Sequence, residues 1–578
     1  MKQLILNKYN SLSANHTVGF WLAIWWIANL IVAGVSELAN DEAYYHMYAQ
    51  NLAWGYFDHP PMTALLVWLG EFFFGGELGV RFFFIVLQPL YLYILWLTIR
   101  PKEANRRDAS LYVMISAAML ILQLYGLIAV PDGPLLFFSA LFLYSLKRMS
   151  EDKKLSWLLM GVSLGLLALS KYQGALVLIF ALLPNIAWLI RNPRKIGEMV
   201  LAGIIATIII LPHLWWQYNH DWASFAYHLS GRNGFFSWSY LTDFIVNMLV
   251  VFSPFYLPIW VQAHRKVRTS TPIERTLKFY PAAFIIFFTL SSFRGYVQPQ
   301  WTIVAVFGLI WLLFEYTRRH NRTRKYVMQM GWITLGLIAI VRVVLMFNPG
   351  GLIRFEVFDN KTSYGQIAEA AAGRPVIFGN GYAPAAKYMF YTGGEVFCQA
   401  NIHYRTSQWQ YRNDDTSFIG REVMLEVDPL ALSGEDKVMR MKNIKLANGR
   451  EFNYIIMDNF QPTRKVKITS ENLTIPEVVK AGDKLNFTLK VENPYPYRFD
   501  IVNKTLSLDM IWTWRKQNAN LFNLTAPITI PANSTIEIEC EFVIPSTLNK
   551  QPYNIGFTLN NHYMFTWYNS QITHTELK

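Results

Sequence analysis

From about residue 18 to residue 347 the chain alternates long apolar runs with short polar connections, and after that the pattern stops. Eleven runs are counted, at 18–36, 81–99, 108–125, 131–146, 156–170, 174–190, 197–215, 241–262, 279–293, 301–316 and 328–347. A helix crosses a bilayer with roughly 20 apolar residues, so the longer runs predict transmembrane helices and the shorter ones predict spans with imprecise ends. The first run is too long for the cleaved core of a signal peptide, and ten more follow it, so it reads as the first span. Beyond residue 351 the rhythm changes. Helix-like stretches ("SYGQIAEAAAG") there alternate with strand-like ones ("RPVIFGN", "FNYIIMDN"), as in a small α/β domain. From about 466, short alternating strands such as "KLNFTLKVEN" and "STIEIECEFVIP" are separated by Gly, Pro and Asn, which predicts a β-sandwich. The expected fold is a polytopic α-helical membrane protein of about 11 transmembrane helices (residues 1–350), followed by an extracytoplasmic α/β region (351–465) and an extracytoplasmic β-sandwich (466–578).

Composition agrees with a membrane chain. Of 578 residues, 53% are hydrophobic and 16% charged, against about 25% charged in soluble proteins. The net charge of +13 would suit a nucleic-acid partner if it formed one surface. It does not, because the excess sits in alternate connections between apolar runs. Taking the N-terminus and every second connection gives 23 basic residues on one side. The opposite connections between spans hold only Arg81, Lys171, Arg232 and Arg294, and no charge is counted mid-span. The positive-inside rule then places the N-terminus in the cytoplasm and the tail outside. Nucleic acid is excluded as a partner; membrane lipids are expected. The two cysteines, Cys398 and Cys540, both fall in the tail and allow a disulfide without requiring one.

The chemistry-bearing residues collect in the connections on that sparsely charged face. "NDEAYYHMYAQNLAWGYFDHPPM" carries Asp41, Glu42, His46, Asp58 and His59 ahead of Pro60-Pro61. Tyr44, Tyr48 and Leu52 recur at helical spacing, which predicts a short amphipathic helix lying at the interface. Asp41 at its start is either a helix cap or a working acid. "VPDGPLLFF" places Asp132 at the mouth of the fourth span, again a capping position or a site. "LSKYQGAL" adds Lys171 and Tyr172. "NHDWASFAYHLSGRNGF" adds His220, His228 and Arg232, the last two four apart and so on one helix face. "SSFRGYVQPQW" adds Arg294, Tyr296 and Gln300. Carboxylates, imidazoles and cations near one membrane face suit a general base plus an anion clamp for a departing phosphate. Asp and His donors also suit a divalent metal ion of unspecified identity, although no HExxH-type motif is present.

These stretches resemble the C-type membrane glycosyltransferases, in particular the bacterial relatives of protein O-mannosyltransferases and the lipid A aminoarabinose transferases. The likeness runs through the first loop, "VPDGPLLFFSAL", "LSKYQGAL", "YHLSGR" and "FRGYVQPQW", about residues 20 to 310, and continues loosely into "RPVIFGNGYAPAAKYMFYTG". It implies transfer of a sugar from a polyprenyl-phosphate donor to lipid A, another glycolipid, a glycan or a protein on the outer face, by one inverting displacement. Carried over residue by residue, it implies catalytic roles for Asp41, Glu42 and Asp132. Lys171, Arg232, Arg294, Tyr296 and His59 would bind the donor phosphate, and Asp58 and His228 would hold a metal. One departure is His59, where the aminoarabinose transferases carry Lys; a neutral imidazole is a weaker phosphate clamp than an ammonium. The competing class is a transporter or flippase of lipid-linked sugars, which mid-span charges and Gly/Pro-broken helix pairs would favour. A structural subunit using the sandwich to bind a partner would not need acids in several loops.

Overall fold

Ser13 caps the first helix by accepting the His16 amide at 3.4 Å, and α1 runs from there over Ala14–Val35. In this computed structural model the residues described are 13–229, 237–351 and 353–399, then 406 onward except 413, 428, 430–439, 474, 502–505, 515–517, 525–526 and 562–567. After α1 come α2 (Asn40–Ala49), α3 (Met62–Phe73), α4 (Gly76–Ile99), α5 (Arg106–Ala117), α6 (Leu120–Tyr125), α7 (Asp132–Ser150), α8 (Ser156–Ala168) and α9 (Gly174–Leu182). Then follow α10 (Ile186–Ile190), α11 (Pro193–Asn219), α12 (Ala223–Leu229), α13 (Trp238–Val251), α14 (Leu257–Lys266), α15 (Pro272–Ser292), α16 (Ala305–Thr317) and α17 (Asn321–Phe347).

Each of the eleven apolar runs falls on helix, but the runs and the helices are not one to one. Among the described residues, α1, α4, α11 and α17 are long and apolar enough to cross a membrane, and the α13–α14 pair makes a fifth if taken as one span. That pair is bent by 82°, at Ser253 with φ 71° and Pro254 beside it, where a proline ring removes a helical hydrogen bond. The run at 108–125 breaks between α5 and α6, and the run at 174–190 is interrupted by a 3₁₀ turn containing Pro184. The expectation of uncharged spans also fails: Arg342 lies inside the run at 328–347.

Packing explains how the loops come together. On α8, Gly161 and Gly165 face α11 so closely that a Cβ would stand 2.7 Å from the Ala202 carbonyl at one and 2.7 Å from Ile209 Cβ at the other. Small residues four apart let two helices meet backbone to backbone where lipid supplies no hydrophobic drive. This contact sets the end of α8, and with it Lys171 and Tyr172, beside the end of α11. The opening helix α2 differs from expectation. Residues 42–45 and 47–49 are all buried and Leu52 lies beyond its end, so α2 is packed into protein and does not float at an interface.

The first compact unit is Met1–Phe358 and the second is Asp359–Lys578. In the second, β1 (Val376–Phe378), β2 (Val396–Cys398), β3 (Val423–Glu426), β4 (Lys442–Lys445) and β5 (Glu451–Met457) form a sheet in the order β2-β1-β3-β5-β4. Its first three strands are parallel, with α18 (Asn360–Ala371) and α19 (Tyr382–Thr392) in the βα rhythm read from sequence. The strands that follow are β6 (Lys467–Glu471), β7 (Val478–Val479), β8 (Lys484–Asn493), β9 (Phe499–Ile501), β10 (Leu506–Trp514), β11 (Asn518–Asn523), β12 (Ile528–Ile530), β13 (Ser534–Val543), β14 (Pro552–Asn561) and β15 (Thr573–Leu577). They pair as β11-β10-β14-β15-β7, β13-β8-β6 and β12-β9. Leu489 and Val491 of β8 share one buried cluster with Met510 and Trp512 of β10 and Phe557 of β14, so the two larger sheets have a common core. Cys398 and Cys540 are both buried thiols and no disulfide joins them; Cys398 Sγ donates to the Gly381 carbonyl at 2.9 Å.

Candidate active site

A continuous chain of hydrogen bonds stitches the first loop to α11. His213 Nδ1 lies 2.7 Å from the Trp54 carbonyl, so in a neutral imidazole Nδ1 carries the proton. Nε2 is then the acceptor for the Tyr172 hydroxyl at 3.1 Å. Tyr172 accepts in turn from the Gln217 amide at 3.1 Å, Gln217 donates to Ser224 Oγ at 2.6 Å, and Ser224 Oγ donates to the Tyr56 carbonyl at 2.8 Å. His213, Gln217 and Ser224 are fully buried. Burial pushes the Tyr172 phenol above its ordinary value, which keeps its proton in place for this bond. Gly55 is required here, since a Cβ would come 2.4 Å from the Trp216 ring.

The loop after α8 delivers Lys171 to Asp132, at the first turn of α7. Lys171 Nζ donates to Asp132 Oδ1 at 2.7 Å, and both side chains are buried. The helix dipole of α7 favours the carboxylate where it stands. Tyr125, at the end of α6, lies within electrostatic reach of Asp132, Asp41 and Tyr296 together. Asp41 is half-buried in the first turn of α2, and the residue capping that helix is Ala39. Asp41 is therefore not the cap. Arg294 and Tyr296 are exposed on the loop after α15, with the Tyr296 ring 6.3 Å from that of Tyr240. Among the described residues Arg294 has no carboxylate within 4.0 Å. Arg232 lies outside the described residues.

Glu42 departs from the catalytic reading. Arg81 Nε meets its Oε1 and Arg81 Nη2 its Oε2, each at 2.6 Å. The Ala129 and Ala39 amides take one further position on each oxygen at 2.9 Å. Arg81 also donates to the carbonyls of Ala33, Ser36 and Glu37. With both oxygens engaged by four donors, Glu42 ties α1, α2, α4 and the loop before α7 together, and its carboxylate has no position left for a substrate proton. Nor does Arg81 snorkel to the surface, since it is 2% exposed.

Asp58 and His228 are neighbours through the backbone. His228 Nε2 lies 2.9 Å from an Asp58 oxygen, but that oxygen is the backbone carbonyl. The Asp58 carboxylate instead accepts from the Tyr48 hydroxyl. Burial and the adjacent Asp58 charge push Tyr48 well above its ordinary value, which secures it as the donor. An imidazole that donates to a carbonyl through Nε2 does not offer that nitrogen to a metal in this arrangement. Among the described residues no three His, Cys, Asp or Glu side chains converge as a metal cluster. His59 packs between Tyr45 and His228, its ring 5.6 Å and 6.3 Å from theirs, while Tyr172 stands edge-on to His228 at 5.5 Å. His59 therefore belongs to an aromatic wall.

His213, Gln217, Ser224, Tyr125 and Arg342 were not singled out by motif. For the first two a signal existed: His and Gln at i and i+4 within an otherwise apolar span mark one polar face, and such residues in a membrane helix usually have a partner. Tyr125 carried no signal beyond closing an apolar run.

The family described as dolichyl-phosphate-mannose-protein mannosyltransferase matches residues 58–216, from Asp58 through Lys171 to Trp216. The lipopolysaccharide core galacturonosyltransferase RgtA of Rhizobium johnstonii is 31% identical over 223 residues, 36% of this chain and 43% of that protein. The lipid A galacturonosyltransferase RgtD of the same organism is 24% identical over 332 residues, 51% of this chain and 64% of that one. The chain thus spans less than two thirds of the length of either relative. Among solved structures, ArnT from Cupriavidus metallidurans has a TM-score of 0.56 at 14% identity, in the apo state and bound to undecaprenyl phosphate, over 76% and 75% of this chain and 97% of that one. That likeness is one of fold: a helical membrane-type bundle with a C-terminal sheet region. The resemblance to the C-type membrane glycosyltransferases holds.

Proposed function

We propose that this chain is a membrane glycosyltransferase that moves a sugar from a polyprenyl-phosphate donor to an acceptor on the outer face of the bacterial cytoplasmic membrane. The observation that carries the reading is the Lys171–Asp132 pair. It is a buried cation beside the polar ends of several apolar helices, with Asp41 and Tyr296 sharing Tyr125 as a neighbour. In the proposed step the acceptor hydroxyl, oriented by Asp41, attacks the anomeric carbon from the face opposite the phosphate. The new C–O bond forms as the old one breaks, the phosphate leaves with the electron pair, and Asp41 takes the hydroxyl proton. Lys171, with Arg294 and Arg232, stabilises the departing phosphate. The polyprenyl chain lies against apolar helix faces, and eleven segments cross or dip into the bilayer with the N-terminus cytoplasmic. Glu42 and Asp132 act as positioning residues, the first through Arg81 and the second through Lys171. A divalent metal has no step here.

The names of the two curated relatives favour a glycolipid acceptor, lipid A or its attached core, over a glycan or a protein, and put uronic acids first among donor sugars to test. The test uses the full chain and Asp41→Asn, each checked for folding, with a panel of polyprenyl-phosphate sugars and extracted glycolipid. Release of free polyprenyl phosphate by wild type alone supports transfer with Asp41 in it. Equal release by both removes Asp41 from the reaction. Absence of release with any donor, together with movement of the sugar lipid across liposomes, overturns the reading in favour of a transporter.

A further inference from the structure

Arg342 stands on α17, and its surroundings lack the counter-charge that Arg81 and Lys171 have. Its Nη2 donates to Asn29 Oδ1 at 2.6 Å and to Gln123 Oε1 at 2.7 Å. Both acceptors are amides whose own N–H groups are committed elsewhere. Asn29 donates to Gln88 Oε1 at 2.5 Å and to the Gly126 carbonyl at 3.3 Å, and Gln123 donates to the Ala117 carbonyl at 2.7 Å. Gly126 makes the arrangement possible, because a Cβ there would collide with the Gln88 amide at 1.9 Å. No Asp or Glu among the described residues lies within 4.0 Å of the guanidinium, and the undescribed residues of the first unit, 1–12, 230–236 and 352, include no acid. Among the described residues its Nε and Nη1, which carry three N–H groups, make no hydrogen bond.

Depth and exposure indicate what the cation meets. At about 1.5 Å per residue, Arg342 lies roughly 30 Å along α17 from Asn321, which is the thickness of a bilayer's hydrocarbon core. Arg322, Arg324 and Lys325 mark the opposite end. Ile340, Val341 and Val343 around it are exposed apolar side chains. The guanidinium therefore sits at the seam between bundle and lipid, at the level where the headgroups of the far leaflet begin. Two amides orient such a cation without neutralising it, and an uncompensated charge is costly there. We propose that Arg342, held by Asn29 and Gln123, binds the phosphate of a lipid headgroup in that leaflet. The ligand chemistry is a phosphate ester on an apolar chain, from a phospholipid or a polyprenyl phosphate. The inference rests on the membrane reading and is independent of the transfer reaction.

The test measures thermal midpoints of the full chain in dodecyl maltoside with dioleoyl phosphatidylglycerol, undecaprenyl phosphate or phosphate-free dioleoylglycerol added. A bound ligand raises the midpoint by mass action. Wild type and Arg342→Lys are expected to gain several degrees from a phosphate lipid over dioleoylglycerol, and Arg342→Gln less than half of that. Loss with phosphatidylglycerol assigns the site to phospholipid, and loss confined to undecaprenyl phosphate assigns it to the polyprenyl lipid. The proposal is overturned if neither phosphate lipid exceeds dioleoylglycerol on wild type, or if Arg342→Gln keeps the full gain with both. Should Arg342→Gln fail to fold, Gln123→Leu decides. It keeps the cation and removes one orienting acceptor, so a halved gain supports the site and an unchanged gain overturns it.

Discussion

Among the described residues of the first unit are two buried ion pairs, Glu42–Arg81 and Asp132–Lys171, and each joins residues 39 apart in the chain. Their hydrogen bonding separates them. Glu42 accepts four hydrogen bonds, and Arg81 donates to three backbone carbonyls as well as to its partner. Among the described residues Lys171 makes a single side-chain bond, to Asp132, although an ammonium has three donors. The first pair is saturated and holds helices in place. The second retains donor capacity, which is what a site needs if an anion is to enter and share the cation. A count of charges cannot distinguish the two pairs; a count of remaining donors can.

The sharpest way to break the comparison is to remove one partner from each pair. Arg81→Met leaves Glu42 charged and buried, and loss of one member of such a pair costs about 3–5 kcal/mol. Little folded protein should be recovered, as read by size exclusion in detergent. Lys171→Met alone carries a similar penalty, but the double change Lys171→Met with Asp132→Asn leaves no buried charge. It should recover a near-native thermal midpoint while release of polyprenyl phosphate stays about 10²–10³-fold down, the scale of losing one transition-state charge partner. Recovery of activity along with stability would make Lys171 a structural residue like Arg81. A smaller effect is expected from Tyr172→Phe, which removes bonds to His213 and Gln217. At about 1 kcal/mol each, the two bonds amount to about 2 kcal/mol and turnover should fall by up to roughly 30-fold, with His213→Phe giving a similar loss and the double variant little more. The smallest effect concerns pH. Burial pushes the Tyr56 phenol up to about 12, so the folded state favours its protonated form. That contribution is complete below the ordinary tyrosine value of about 10 and is lost as pH rises through 12. Thermal midpoints of wild type and Tyr56→Phe should therefore run parallel from pH 6 to pH 9 and converge above pH 10.

Sequence pattern located helix correctly but overstated its continuity. Every apolar run became helical, because apolar side chains and unbroken backbone hydrogen bonding favour helix in lipid. Two of the three breaks followed local chemistry that was already visible, Pro254 beside Ser253 and Pro184 within its run. The site was less legible. Asp132 and Lys171 were each placed at the outer face, but their contact depends on how α8 packs on α11 through Gly161 and Gly165, and no local motif encodes a crossing. Asp58 and His228 do meet, yet through a carbonyl and not the carboxylate, a distinction between atoms of one residue that residue identity cannot make. Glu42 reads as a catalytic acid from the family resemblance, and only the fold brings Arg81, 39 residues away in the chain, onto both of its oxygens.

The chain of bonds from His213 to Ser224 ends on the carbonyls of Trp54 and Tyr56. A tether that holds main-chain oxygens is indifferent to which residue bears them. Leu52 and Trp54 are 46% and 57% exposed, so mutation can rewrite the outward face of this loop while its course over the site is preserved. Divergence in what the loop touches is thereby uncoupled from divergence in where it lies.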